Sequence, residues 1–137
     1  MLLYHGSNDY YKVLKPHVST HGKSAVYASP KKEHALCFAG NKWTDELINM
    51  SYYDGVLYLT ELEDGVFDKI YNRSGYIYTL DNSYNKFEYV KESSPHELWC
   101  FEDVHYIKLT YLTNILQTLK QSCIILSKFP KKPFWWS

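Results

Sequence analysis

Pro30 constrains this chain more than any other single residue. Proline lacks a backbone N–H and has a fixed φ, so it is excluded from the middle of a sheet but fits the first turn of a helix. Before it, Ala25-Val26-Tyr27-Ala28 reads as a strand, and Ser29 is a favoured N-cap. After it, a helix is expected from Pro30 to about Ala39, with Ala35, Phe38 and Ala39 on one face and Gly40 as its stop. A chain with this junction mixes strands and helices.

A second strand end lies upstream. Leu2-Leu3-Tyr4 is a short apolar run that stops in His5-Gly6-Ser7. Gly6 has no side chain, so a ligand can come close to its backbone. His5 offers a ring nitrogen that donates or accepts near neutral pH. Between the two stretches lies a loop, His17 to Lys23, rich in hydroxyls and histidines. His17 and His21 have the spacing of a helical metal pair, but Pro16 and Gly22 argue against helix and no carboxylate or cysteine completes a set, so no metal is expected. The loop either shapes a polar pocket or simply turns. His21 and Lys23 are its candidate phosphate-facing side chains.

Downstream, Trp43 to Met50 is read as a helical stretch. Asp54-Gly55 is a turn leading into Val56 to Leu62, apolar enough on both faces for a central strand. Asp64-Gly65 turns again into Val66-Phe67. Strands follow at Tyr76 to Leu80 and Lys86 to Val90, then a short apolar piece, Leu98 to Phe101. From Asp103 onward, Ile107, Tyr111, Ile115 and Leu119 recur every four residues, which predicts an amphipathic helix. The tail, Pro130 to Ser137, is expected to dock its aromatics on the domain or a partner.

At 137 residues, one domain spanning 1–137 is expected. Fifteen basic and fifteen acidic side chains cancel, so net charge demands neither nucleic acid nor an anionic membrane. Three cysteines without a CxxC pair favour a reducing, cytoplasmic setting over a disulfide framework. No signal peptide is read, and Cys123 to Leu126 is too short to span a bilayer. Fourteen tyrosines and four tryptophans fit a β-rich fold, or a cleft lined for stacking on a planar ligand.

Tyr4-His5-Gly6-Ser7 on a first strand, Val26-Tyr27-Ala28-Ser29 opening a helix and a glutamate on a late strand resemble the ADP-ribosyltransferase superfamily of the diphtheria-toxin and poly(ADP-ribose) polymerase kind, whose motif is His…Tyr…Glu. The run from Leu2 to about Ala39 looks like small bacterial proteins near that superfamily. The resemblance implies an α+β fold with a split, mainly antiparallel sheet and flanking helices, and NAD as substrate. It implies that His5 holds the nicotinamide ribose, that the Gly6 backbone bonds the carboxamide beside Ser7, and that Tyr27 stacks on the nicotinamide, with Ser29 following. His5, Tyr27 and a glutamate would form the catalytic set. Glu88 is the first choice for that glutamate, Glu92 the fallback and Glu97 the third.

The chemistry asks for these residue types. Breaking the bond from nicotinamide to ribose builds positive charge on the sugar, as in glycoside cleavage. A carboxylate aimed there stabilises the transition state more than the ground state. The expected activity is ADP-ribosyl transfer to a macromolecular acceptor, or NAD hydrolysis at the same site. Two alternatives stand beside it. One is removal of a phosphate from RNA in the manner of NAD-using RNA 2′-phosphotransferases, with Lys12, Lys15, Lys23, Lys31 and Lys32 as the basic groups. The other is a catalytically silent module that holds a nucleotide or partner.

Overall fold

The computed structural model describes residues 1–18, 24–40, 46–83, 85–90 and 94–129. In chain order its elements are β1 (Leu2–Ser7), β2 (His17–Val18), β3 (Ser24–Ala28), α1 (Lys32–Cys37), β4 (Ile48–Tyr53), β5 (Val56–Glu61), α2 (Val66–Tyr71), β6 (Gly75–Asp81), β7 (Leu98–Cys100), β8 (Lys108–Leu112), α3 (Ile115–Lys120) and β9 (Ile125–Ser127). The architecture is α+β, with three three-stranded sheets ordered β1-β6-β8, β2-β3-β7 and β4-β5-β9. Every pairing is antiparallel except β5 with β9.

Two cores lie on opposite faces of the β1-β6-β8 sheet. Successive residues of a strand point to opposite faces, and β6 divides accordingly. Ile77 joins a core built from α1, α2, α3, β4 and β5, whereas Tyr78 and Leu80 join Leu3, Val26, Ala28, Leu98 and Cys100 in a second. That second core is the filling between the β1-β6-β8 sheet and the β2-β3-β7 sheet. Among the described residues the backbones of the two sheets bridge at one pair. Tyr4 donates to the Ser29 carbonyl at 2.8 Å and Ser29 donates back to the Tyr4 carbonyl at 2.9 Å.

Several expectations change. The helix after Pro30 is Lys32–Cys37, because Ser29 is still bonded to β1 and its Oγ accepts from the Lys31 N–H at 3.0 Å, closing a turn over Pro30. His17 and Val18 pair with β3 as a short strand. Ile48 to Met50 open β4, paired with β5, so the helix expected over Trp43 to Met50 does not form there. Val66-Phe67 begins α2. Over Lys86 to Val90 the described ladder is a single bridge, Glu88 with Trp99. The helix expected from Asp103 is replaced by β8 and the short α3, with Asn114 between them capping α3 by accepting from the Gln117 N–H. The tail 130–137 lies outside the described residues.

The Asp54-Gly55 turn forms as expected, both residues having positive φ (51° and 77°) between the paired Tyr53 and Val56. That is the twist a two-residue hairpin needs. All three cysteines are free thiols. No helix among the described residues is long and apolar enough to cross a membrane.

Candidate functional site

The site is built where β1 and β3 part company. On β1, the Tyr4 N–H and C=O point toward β3. In an antiparallel strand the backbone polar groups alternate sides, so those of Gly6 point the same way. The partner strand agrees: the Thr79 carbonyl, opposite Tyr4, accepts from Ile107 on the side away from β1. The β1–β3 ladder nevertheless stops at the Tyr4–Ser29 pair. The Tyr27 carbonyl, which would have been the next acceptor, is taken by His5 Nδ1 at 2.6 Å. Gly6 therefore presents a backbone donor and acceptor that have no backbone partner among the described residues.

The His5 bond also fixes a tautomer. A carbonyl only accepts, so Nδ1 carries the hydrogen and a neutral His5 has Nε2 as an acceptor. The ring is half-buried, 5.9 Å from the Tyr78 ring. Burial, the largest influence, and the nearby His17 lower its pKa from 6.5, while the bond to the Tyr27 carbonyl works in the opposite direction. At neutral pH the imidazole is uncharged.

His5 and Tyr27 are on neighbouring strands, but the contact joining them runs from imidazole to main-chain carbonyl. The Tyr27 ring instead meets Trp99 edge-on, centroids 5.0 Å apart. Pleating explains this. Val26 and Ala28 face the second core, so Tyr27 and Ser29 share the other face of β3. His5, two residues after Leu3 and opposite Tyr78, points instead to the second-core face. The His5 and Tyr27 side chains therefore do not line one cleft as expected. Ser7 ends β1 in a turn, its Oγ accepting from the Asp9 N–H at 3.1 Å. His21, Lys23 and Glu92 lie outside the described residues.

Gly6 serves a purpose that its sequence context did not reveal. A Cβ there would collide with the Ala35 carbonyl of α1 and come within 3.0 Å of the Ala39 nitrogen. The missing side chain makes room for α1, and what Gly6 leaves without a backbone partner among the described residues is its strand edge.

The two described candidate carboxylates differ sharply. Glu88 pairs with Trp99 across the backbone, at 3.0 and 2.9 Å, on the far side of β7 from Tyr27, and its side chain is exposed. Glu97 is 8 % exposed. It precedes Trp99 by two, so it shares the Trp99 and Tyr27 face, next to the β3 end that carries Ser29. Its Oε1 accepts from Trp99 Nε1 at 2.9 Å, and its Oε2 lies 3.7 Å from His34 Nε2.

Sequence reasoning did not single out His34, Tyr52 or His96. His34 is buried on α1, its Nδ1 2.9 Å from the Tyr52 hydroxyl, with the two rings stacked at 11°. His96 lies 3.9 Å from the Tyr52 ring, and Lys31 sits 4.5 Å above it. The one signal available was spacing: His34 is four residues before Phe38 and so shares its helical face.

Elsewhere, a cavity of about 240 Å³ lies between α2, α3 and the ends of β5 and β9. Glu61 is among its lining residues, and its oxygens accept from the Phe67 and Phe129 N–H groups at 2.8 and 2.9 Å. Among the described residues no group of three or more metal-ligating side chains assembles. Comparison of the chain with protein-family models, with characterised proteins and with solved structures finds no match.

Proposed function

We propose that this protein cleaves NAD at the bond between nicotinamide and ribose, passing the ADP-ribosyl group to a macromolecular acceptor or to water. The observation carrying this reading is the open edge at Gly6. One N–H and one C=O on a single residue complement a carboxamide, which needs one acceptor and one donor side by side. In this reading Gly6 holds the carboxamide and His5 Nε2 accepts from a ribose hydroxyl, while the Tyr27 ring, packed on Trp99 and turned to the face opposite His5, takes no part.

Nicotinamide leaves as a neutral molecule and the ribose becomes cationic, so the chain has to supply negative charge and no strong acid. Glu97 takes that role in preference to Glu88. A buried carboxylate held by an indole N–H is preorganised and acts through a low local dielectric, whereas an exposed one is screened by water. Neutral His5 adds no opposing charge beside the developing cation.

The test is incubation with NAD followed by chromatography for free nicotinamide. The parent releases it, and Glu97→Gln lowers release on the order of a hundredfold, comparable to losing one preorganised electrostatic group. Glu88→Gln stays near the parent rate. A parent that releases nothing refutes the enzyme reading and leaves the silent nucleotide-binding module.

A further inference from the structure

Resting on the NAD reading of the open β1 edge, we propose that His34 is the positioning residue that holds the Glu97 carboxylate toward the ribose, through an Nε2–H whose presence Tyr52 dictates. The starting point is an anomaly. His34 Nε2 is fully buried and has no hydrogen-bond partner among the described residues. A buried polar atom without a partner carries a cost that a fold accepts where the atom has a task.

Tautomer logic says what Nε2 does. If Nδ1 carried the hydrogen it would donate to the Tyr52 oxygen, and a bare Nε2 would face the Glu97 carboxylate at 3.7 Å. Two buried acceptors would then confront each other. If the Tyr52 hydroxyl donates to Nδ1, the hydrogen sits on Nε2 and faces the carboxylate. Burial raises the Tyr52 pKa above its usual 10, with Cys37 and Glu33 adding to the effect, so the phenol keeps the proton it donates. The second arrangement is the one that satisfies both ends.

The distance is informative in itself. At 3.7 Å the pair is within ion-pair reach but beyond a hydrogen bond. Glu97 Oε1 is already fixed by Trp99. A small swing about that anchor closes the Nε2–H bond, and it can do so when the ribose draws on the carboxylate. The imidazole cannot easily turn away. Phe38 and His96 flank it, at 5.4 and 6.2 Å between ring centres, and Tyr52 stacks on it. His34 touches no substrate in this scheme; it acts through Glu97.

Nitrogen-15 correlation spectra of the full chain read the tautomer without any ligand. The parent shows His34 with a protonated Nε2 and an unprotonated Nδ1, and Tyr52→Phe loses that bias. A protonated Nδ1 in the parent overturns the proposal, whether or not NAD is turned over. Steady-state nicotinamide release is the second readout. His34→Phe keeps an aromatic ring but no donor, and kcat falls about tenfold or more while the KM for NAD changes less than about twofold, the split expected when only transition-state stabilisation is lost. His34→Gln restores an N–H and recovers most of that kcat, which a merely structural role would not predict. Equal kcat in His34→Phe and the parent overturns the proposal. A parent with the Nε2–H tautomer but no nicotinamide release overturns the ribose half of the proposal together with the NAD reading, and leaves the His34–Glu97 pair standing as a structural contact.

Discussion

Glu97 and Glu88 carry the same carboxylate into opposite surroundings. Substitution should therefore separate them by stability as well as by turnover. Glu97→Ala removes the carboxylate that accepts from the buried Trp99 indole N–H, costing about 1–3 kcal/mol in denaturant unfolding. Glu88→Ala at its exposed position stays within about 0.5 kcal/mol of the parent. Equal losses would contradict the assignment of burial. Gly6→Ala is a second discriminating change. Its Cβ meets helix backbone, which has no rotamer to move, so α1 must shift at a cost of about 1–3 kcal/mol. The sequence made His5, Gly6 and Tyr27 visible because a strand ending in His-Gly and a strand ending in Ser-Pro are local signals. It placed Glu97 only third among the candidate glutamates, because the burial of that residue depends on Trp99 and on His34, a residue remote in sequence.

At the scale of elements, the Asp54-Gly55 hairpin was legible because its positive φ values are a demand that few residues meet. The run from Ile107 to Leu119 was misleading for a definable reason. A spacing of four is a multiple of two as well as one turn of helix, so Ile107 and Tyr111 also fit one face of a strand. Pairing of β8 with β6 decides the matter, and Asn114 then starts α3 afresh. The strand β4 was missed similarly, since its identity comes from the ladder with β5 rather than from its own pattern. Glu61 ties three elements together: it ends β5, receives the first turn of α2 through Phe67 and fixes the chain after β9 through Phe129. Glu61→Ala strands two backbone donors and is expected to lower stability by about 2–4 kcal/mol. Hydrogen exchange at Phe67 and Phe129 should rise with it, and unchanged protection there would show that the tie carries no weight.

For the whole molecule, the decisive feature is that two sheets share one core yet, among the described residues, their backbones bridge at one pair, Tyr4 with Ser29, with the His5 bond to the Tyr27 carbonyl beside it. A charge placed in that junction should be felt globally. His5 has a pKa lowered from 6.5 by burial and by His17, and His96 has one lowered by burial, Lys31 and His34. Both bind a proton more weakly in the fold than in the unfolded chain. Their contribution is complete above 6.5 and is lost as pH falls from there through the folded values. The thermal midpoint should drop on mild acidification, with a shallower slope in His5→Gln; a midpoint that rises would reverse the sign. The central claim, that the open edge of β1 receives the carboxamide of NAD, is tested most directly by the amide resonance of Gly6 during titration with NAD. The account predicts a saturable shift of the Gly6 N–H, together with His5 and Tyr27, while Phe67 beside the remote cavity stays in place. A Gly6 resonance that does not move at saturating NAD would contradict it.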